Sequence, residues 1–300
     1  MTILISGGTG FVGRKLTRAL QARGHTVMIL SRQSGTELET GATPVQWDAR
    51  TRGDWTSCLE TADAVINLAG ESIGAGRWTD RQKERILKSR LDATNAIVDA
   101  MAAASRKPDV LISASGVDYY GHVEEGDVGE SSPPGSGFMA ETSARWEEAA
   151  MKAEQHGVRV ATMRTGVVIG SEADAFKRMI LPFRLFAGGP YGSGTQWFSW
   201  IHINDAVEGY IFVLEHPKLS GPFNLSSPNP VRVNQLARQL GEALRRPSFM
   251  RAPAFALNIA LGEMSDLLLK GRKVIPGRLK EAGFIFQFPL LPDALKEVLR

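Results

Sequence analysis

The chain opens on a short apolar run, Thr2–Ser6, which breaks into glycines and then into a helical pattern over Phe11–Arg23 that Gly24-His25 ends. A short apolar run bounded by turn residues reads as a buried strand; apolar residues spaced by three and four read as an amphipathic helix. The same alternation predicts strands at Thr26–Ser31, Pro44–Trp47, Ala64–Asn67, Val110–Ser113 and Arg159–Thr165, and helices over Asp80–Ser105 and Glu141–His156. Such a pattern predicts an α/β fold, a doubly wound parallel sheet covered by helices. Beyond Gly166 the rhythm loosens. Gly188-Gly189-Pro190 and Gly192–Gly194 predict loops, Asp205 an N-cap for a helix over Ala206–Glu215, and Pro222–Leu225 a strand. Helical patterns follow over Val231–Leu244, Ala254–Leu269 and Pro292–Leu299.

Composition narrows the class. A chain of 300 residues buries about 75% of its unfolded surface and needs no covalent staple. Cys58 is the single cysteine, so no internal disulfide forms, and no CxxC or His/Cys cluster points to a metal. No apolar run approaches the ~18 residues that span a bilayer, and no basic segment precedes the first apolar run as in a signal peptide. With 35 basic and 32 acidic residues, the pI near 9.0 reflects a small surplus and does not point to nucleic acid. The expectation is a soluble, cytoplasmic protein whose partner is a small molecule, not nucleic acid or membrane, with a homodimer as the candidate assembly.

The strongest chemical signal is Gly7-Gly8-Thr9-Gly10-Phe11-Val12-Gly13 between a strand and a helix. Gly8, Gly10 and Gly13 satisfy GxGxxG; Gly7, Gly10 and Gly13 satisfy GxxGxxG. Bare backbone lets the turn be tight, the pyrophosphate approach and the helix pack on the strand, while helix N–H groups bind the phosphates. The second strand then ends Leu30-Ser31-Arg32, with no acid before Glu37. An NAD site usually places Asp or Glu there for the ribose hydroxyl, whereas Ser31 and Arg32 suit a 2′-phosphate. NADP(H) is therefore expected over NAD(H); otherwise Arg32 is a solvated surface side chain. Asn67-Leu68-Ala69-Gly70 ends the fourth strand in the crevice where such a cofactor lies, or supplies turn chemistry alone. Asp48 either meets the adenine or caps a turn. The organisation expected is a Rossmann domain over residues 1–170, to which a strand and helix around 204–226 return. A smaller substrate lobe over 171–300 would include a helical segment at 251–300.

These motifs resemble the short-chain dehydrogenase/reductase superfamily in its extended and atypical branches, and more narrowly the epimerase-like SDR39U family. The matching stretches are Asn67–Glu71, Arg77-Trp78, Ser89-Arg90, Ser113–Gly121, Arg145–Glu147, Arg164–Gly170 and Ser199–Tyr210, and the segment from about Arg251 resembles that family's C-terminal domain of unknown function. The resemblance implies a nicotinamide cofactor and a Ser/Thr–Tyr–Lys constellation, in which tyrosine exchanges a proton and lysine lowers its pKa. Ser115 matches the family serine, with Ser113 the alternative. The YxxxK that should follow is absent: Phe138-Met139-Ala140-Glu141-Thr142 stands in its place. Tyr119 and Tyr120 are the tyrosines near the serines and become the candidate acids, or a turn that packs the lobe interface. Since a phenol near pH 10 needs a cation beside it, Arg90, where relatives often carry Asn, is the candidate partner and a candidate cofactor contact.

Other residues carry open readings. His202 is a general base or part of a structural join; Arg164 binds an anion or pairs with an acid. Trp78 and Trp197 stack on a ligand or pack, and Gly192–Gln196 forms a mobile loop over the substrate pocket. Three functions follow: an NADP(H)-dependent oxidoreductase or epimerase-like enzyme with a remodelled proton donor; a non-catalytic NADP(H)-binding redox sensor; and an ordinary nucleotide-sugar epimerase, which the missing dyad disfavours. The first is the reading adopted.

Overall fold

A computed structural model describes residues 1–33 and 38–300; Glu37 lies outside them. Seven strands form one parallel sheet: β1 (Thr2–Ser6), β2 (Thr26–Ser31), β3 (Thr43–Gln46), β4 (Ala64–Asn67), β5 (Val110–Gly116), β6 (Arg159–Thr165) and β7 (Gly221–Leu225). Their order is β7-β6-β5-β4-β1-β2-β3. The order reverses about β1, and that switch point opens a crevice at the strands' C-terminal ends. The helices that matter below are α1 (Phe11–Ala22), α2 (Asp80–Ala103), α3 (Phe138–Met151), α4 (Asp174–Arg184), α5 (Ile203–Glu215), α6 (Val233–Leu244) and α7 (Leu291–Val298).

Successive strand residues face opposite sides of a sheet, so a strand covered on both faces is apolar throughout. In β1, Ile3 and Ile5 enter a core with Leu16 and Leu20 of α1 and Tyr210 and Ile211 of α5. Leu4 enters the other core, with Ile97 and Met101 of α2. A third core joins Phe176 and Ile180 of α4, Leu236 and Leu240 of α6, and Leu295 of α7 around Trp200.

Several elements depart from the sequence pattern. The fifth strand runs to Gly116, past the expected Ser113, so Ser113 and Ser115 both pair with β6. The helix expected from Glu141 begins at Phe138 and gives way at Met151 to a 3₁₀ turn closed by left-handed Gly157. The pattern over Ala254–Leu269 is split, because Gly262 takes a positive φ of 61° and ends the helix Ala254–Leu261. Asp205 does not cap its helix. The helix starts at Ile203 with His202 as cap, and the buried Asp205 carboxylate accepts the Gln287 and Phe288 N–H groups at 2.7 and 2.9 Å. A carboxylate with two backbone donors clips the C-terminal segment to α5.

Replacing Asp205 by Ala is expected to cost about 1.5–3 kcal/mol, the range for hydrogen bonds to a charged group. Denaturant unfolding measures the loss, and limited proteolysis should cut the segment around residue 287 sooner than in the parent protein.

Candidate functional site

The glycine turn stands between β1 and α1 at the switch point. Gly7 has φ 69°, and a Cβ there would stand 2.7 Å from the Leu68 carbonyl. A Cβ at Gly13 would collide with the Gly7 carbonyl, and one at Gly8 would stand 2.8 Å from the Ile29 side chain. The turn closes by a Gly10 N–H to Gly7 carbonyl bond of 3.0 Å. Gly10, at the N-cap of α1, offers no side chain to the helix's first N–H groups, and no acid occupies the first turn. Those N–H groups and the helix dipole face the crevice as an anion site. Thr9 is exposed and its carbonyl accepts Arg14 Nη1 at 2.9 Å; the Phe11 ring packs on Gly170, and Val12 is half-buried. This cradle fits a pyrophosphate.

Ser31 pairs with Gln46 at the end of β2, and exposed Arg32 follows it beside the turn. The Ser31 hydroxyl accepts the Gln33 N–H at 3.1 Å. Asp48 caps a turn, accepting the N–H groups of Arg50 and Thr51 and the Thr51 hydroxyl, which hold its carboxyl down at about 2.

Across the turn, Asn67 is buried. Its Oδ1 accepts the Ser6 hydroxyl at 2.6 Å and the Ala69 N–H at 3.3 Å, and its Nδ2 donates to Thr94 at 2.8 Å. Trp146 Nε1 donates to the same Thr94 oxygen at 3.0 Å, so Asn67 pins β1, β4 and α2 in place. Leu68 N–H donates to Ser6 O at 3.0 Å, and Gly70 lies under the Arg90 guanidinium.

At the ends of β5 and β6 the structure assembles a buried polar network. The Ser115 hydroxyl donates to Glu147 Oε1 at 2.6 Å. Arg164 grips the same carboxylate with Nε at 2.8 Å and Nη2 at 2.7 Å, while its Nη1 donates to the Tyr120 hydroxyl at 2.8 Å. The Tyr120 hydroxyl donates in turn to Asn224 Oδ1 at 2.6 Å. Burial opposes the Arg164 charge, but Glu147 and the Tyr120 hydroxyl outweigh it and raise its pKa above the ordinary range. Burial pushes the Tyr120 phenol up to about 12, against the pull of Arg164. Tyr120 is thus a poor acid, its proton already committed. The Tyr119 ring lies on the Arg164 guanidinium, 3.5 Å from centroid to Cζ, and its hydroxyl has no partner among the described residues. The cation beside the tyrosines is Arg164, not Arg90. Ser113 is fully buried within the sheet and donates to the Ala114 carbonyl at 3.3 Å. Glu147 and Asn224 escaped the sequence reading; the RWE stretch around Glu147 was its one visible sign.

Where the dyad would stand, Phe138 and Thr142 occupy the first turns of α3. Phe138 meets Trp78 edge-on at 5.2 Å and Thr142 is buried. Trp78 donates to the Ile73 carbonyl, and the Trp197 face carries the Arg232 guanidinium at 3.8 Å, so both indoles pack against protein. A cleft of about 360 Å³ lies between His122–Glu125, the glycine loop and Arg232. The loop lines it, and Arg251 donates to the Gly192 and Ser193 carbonyls and Asn234 N–H to the Gly194 carbonyl. His202 is structural. Nδ1 accepts the Asn204 N–H, which leaves the ring proton on Nε2 to donate to Glu297 at 2.8 Å. Among the described residues, no helix is long and apolar enough to cross a membrane, and no cluster of acids, histidines and cysteine is placed to hold a metal.

A parallel sheet ordered about a glycine turn, with a serine near the end of the fifth strand and tyrosines in the turn after it, defines a dinucleotide-binding fold of the short-chain dehydrogenase/reductase type. The chain belongs to the NAD dependent epimerase/dehydratase family, whose model matches residues 3–226; a domain of unknown function, DUF1731, matches 252–298. It is 41% identical to the chloroplastic epimerase family protein SDR39U1 homolog of Arabidopsis thaliana, over 100% of this chain and 87% of that protein. To epimerase family protein YfhF of Bacillus subtilis it is 38% identical, over 100% and 98%. Among solved structures, human epimerase family protein SDR39U1 (isoform 2) with NADPH superposes with a TM-score of 0.90 at 35% identity, covering 99% of both chains. MoeE5 in complex with UDP-glucose and NAD, 21% identical with a TM-score of 0.81 over 100% of this chain and 97% of that one, shares the fold.

Removing one partner of a buried ion pair leaves a bare charge, so Glu147→Gln is expected to destabilise by about 3–5 kcal/mol. Joint replacement by Glu147→Leu and Arg164→Met should recover much of that, measured by denaturant unfolding. For Tyr120, the folded value of about 12 lies above the unfolded value of about 10. The unfolded chain therefore gives up its proton first, and the stability tied to this phenol falls as pH rises between the two values. Subtracting the near-ultraviolet titration of Tyr120→Phe from that of the parent protein should isolate a phenol ionising near 12.

Proposed function

We propose that the protein is an NADP(H)-dependent oxidoreductase or epimerase-like enzyme with a rebuilt acid–base site. The observation that carries the cofactor is the uncapped, glycine-backed N-terminus of α1 beside Ser31 and Arg32. The N–H groups of the turn hold the pyrophosphate, and Arg32 with Ser31 holds the 2′-phosphate through charged, forked hydrogen bonds. The human relative bound to NADPH supports the same choice. The cofactor, when bound, would supply hydride as NADPH or accept it as NADP⁺.

The chain's own residues handle the proton and the orientation. Tyr119 Oη is the proton donor. The guanidinium stacked on its ring offsets the negative charge left after transfer, the service a lysine gives elsewhere. Arg164 in turn is fixed by both oxygens of Glu147, which keeps the cation under the ring. The Ser115 hydroxyl hydrogen is engaged in its bond to Glu147, so toward a substrate hydroxyl its oxygen acts as acceptor. Phe138 and Thr142 favour a second reading, a sensor that holds NADP(H) without turning it over.

Purified protein is expected to bind NADPH more tightly than NADH in fluorescence titration, and Arg32→Ala to erase the difference; equal affinities in the parent protein would refute the Arg32 assignment. Mixing the NADPH complex with a panel of carbonyl compounds under single-turnover conditions should consume the cofactor. Tyr119→Phe should then slow that step by about 10²–10⁴-fold, the usual worth of a positioned acid, with little change in NADPH affinity. Binding without consumption across the panel would favour the sensor.

A further inference from the structure

Two stretches of the C-terminal half stand apart in charge. Residues 175–192 carry Lys177, Arg178 and Arg184, and residues 243–262 carry Arg245, Arg246 and Arg251. Neither stretch contains an Asp or Glu, in a chain whose basic and acidic residues number 35 and 32. Of the acids at the borders of the second stretch, Glu242 lies 3.8 Å from Arg238, and Glu263 pairs with Lys83 at 2.8 Å. The same two stretches hold seven of the ten large apolar side chains that stay exposed among the described residues. Phe186 is 57%, Phe255 68% and Phe249 79% exposed, and Leu181, Leu185, Met250 and Ile259 accompany them. A phenylalanine carries about 150–250 Å² of surface. These three rings alone therefore fill the ~300–600 Å² of the largest apolar patch on a typical monomer.

The fold brings the two stretches together. Met250 N–H donates to the Gly188 carbonyl and Ala252 N–H to the Pro190 carbonyl, each at 3.0 Å. That ladder sets Phe249 and Met250 beside the turn that carries Leu185 and Phe186, and the Arg246 guanidinium lies 4.5 Å over the Phe186 ring. Lys177, Leu181, Arg184 and Leu185 follow one another at helical spacing along the exposed face of α4. The helix Ala254–Leu261 continues this surface. Asn258 is its one polar residue, and none of its residues is buried. A helix apolar on every side belongs in a core or in lipid. Its 8 residues make it about 12 Å long, far short of the ~30 Å hydrocarbon slab. Such a helix lies along an interface, and the absence of a spanning segment has no bearing on it.

The charge chooses the occupant. A second copy docked about a two-fold axis would set these cations against the same cations, which repel. Anionic headgroups attract them, while the acyl boundary takes up the rings. We propose that this face docks the protein peripherally on a bilayer rich in anionic lipid, with Phe255 and Ile259 entering the acyl boundary and Arg184, Arg245 and Arg246 lying on the headgroups.

The test co-sediments the full-length protein with vesicles of phosphatidylcholine containing about one quarter phosphatidylglycerol, or of phosphatidylcholine alone. Binding to the anionic vesicles is expected, about tenfold or more tighter than to phosphatidylcholine and falling as salt rises. Phe255→Ser with Ile259→Ser, and separately Arg245→Gln with Arg246→Gln, should each weaken it by about tenfold or more. The arginine pair alters exposed charge alone and decides the outcome if the first pair fails to fold, which circular dichroism reports. No binding to anionic vesicles, equal binding to both kinds, or binding indifferent to both double variants overturns the proposal. Sedimentation velocity without vesicles tests the other occupant. A dimer that Phe255→Ser with Ile259→Ser dissociates would assign the face to a second copy and overturn the proposal as well.

Discussion

The buried pair of Glu147 and Arg164 organises the chemical end of this molecule. One carboxylate receives both the Ser115 hydroxyl and two guanidinium nitrogens, and the same guanidinium carries the Tyr119 ring and the Tyr120 hydroxyl. α3, β5, β6 and the turn after β5 are thereby set against one another by charged hydrogen bonds inside a low-dielectric interior, where such bonds are strong and their loss expensive. Asn224 extends the set to β7 and, through the Ile275 carbonyl, to the segment that follows residue 271. A network in which each donor has an acceptor is rigid. On the reading proposed above, that rigidity is what would let a stacked arginine serve in place of a neighbouring lysine.

The cofactor end and the chemical end obey different constraints. Around Gly7, Gly8 and Gly13 the geometry leaves no room for a Cβ, so the turn is fixed by contact distance. At Phe138 and Thr142 the backbone keeps the helix start that would present a Tyr–Lys pair, yet the side chains there pack or lie buried. On the reading proposed above, the acid–base role falls to the strand-end side of the crevice, where Arg164 supplies a cation.

Much of the sheet is legible in the sequence because strands buried on both faces are nearly continuous apolar runs, as Thr2–Ser6 and Ala64–Asn67 are. The glycine turn is legible because its residue types follow from steric need. Less local features are not. Tyr120 and Asn224 are 104 residues apart, and nothing in spacing connects them. Ser113 and Ser115 read as a strand's edge because serine and glycine have weak strand preference, whereas pairing with β6 carries the strand to Gly116. Asp205 has the composition of a helix cap but serves a segment more than eighty residues downstream. Arg90 and Arg164 are indistinguishable as letters. Only the fold shows that one holds a carboxylate and the other does not.

A crystal structure of the protein with NADPH tests the central claim most directly. The account requires the pyrophosphate on the N–H groups following Gly10, the 2′-phosphate on Arg32, and the Tyr119 hydroxyl as the polar hydrogen donor nearest nicotinamide C4, with space for one small substrate between them. A nicotinamide ring turned away from Tyr119, with a different protic side chain within about 3.5 Å of the reacting carbon, would contradict it.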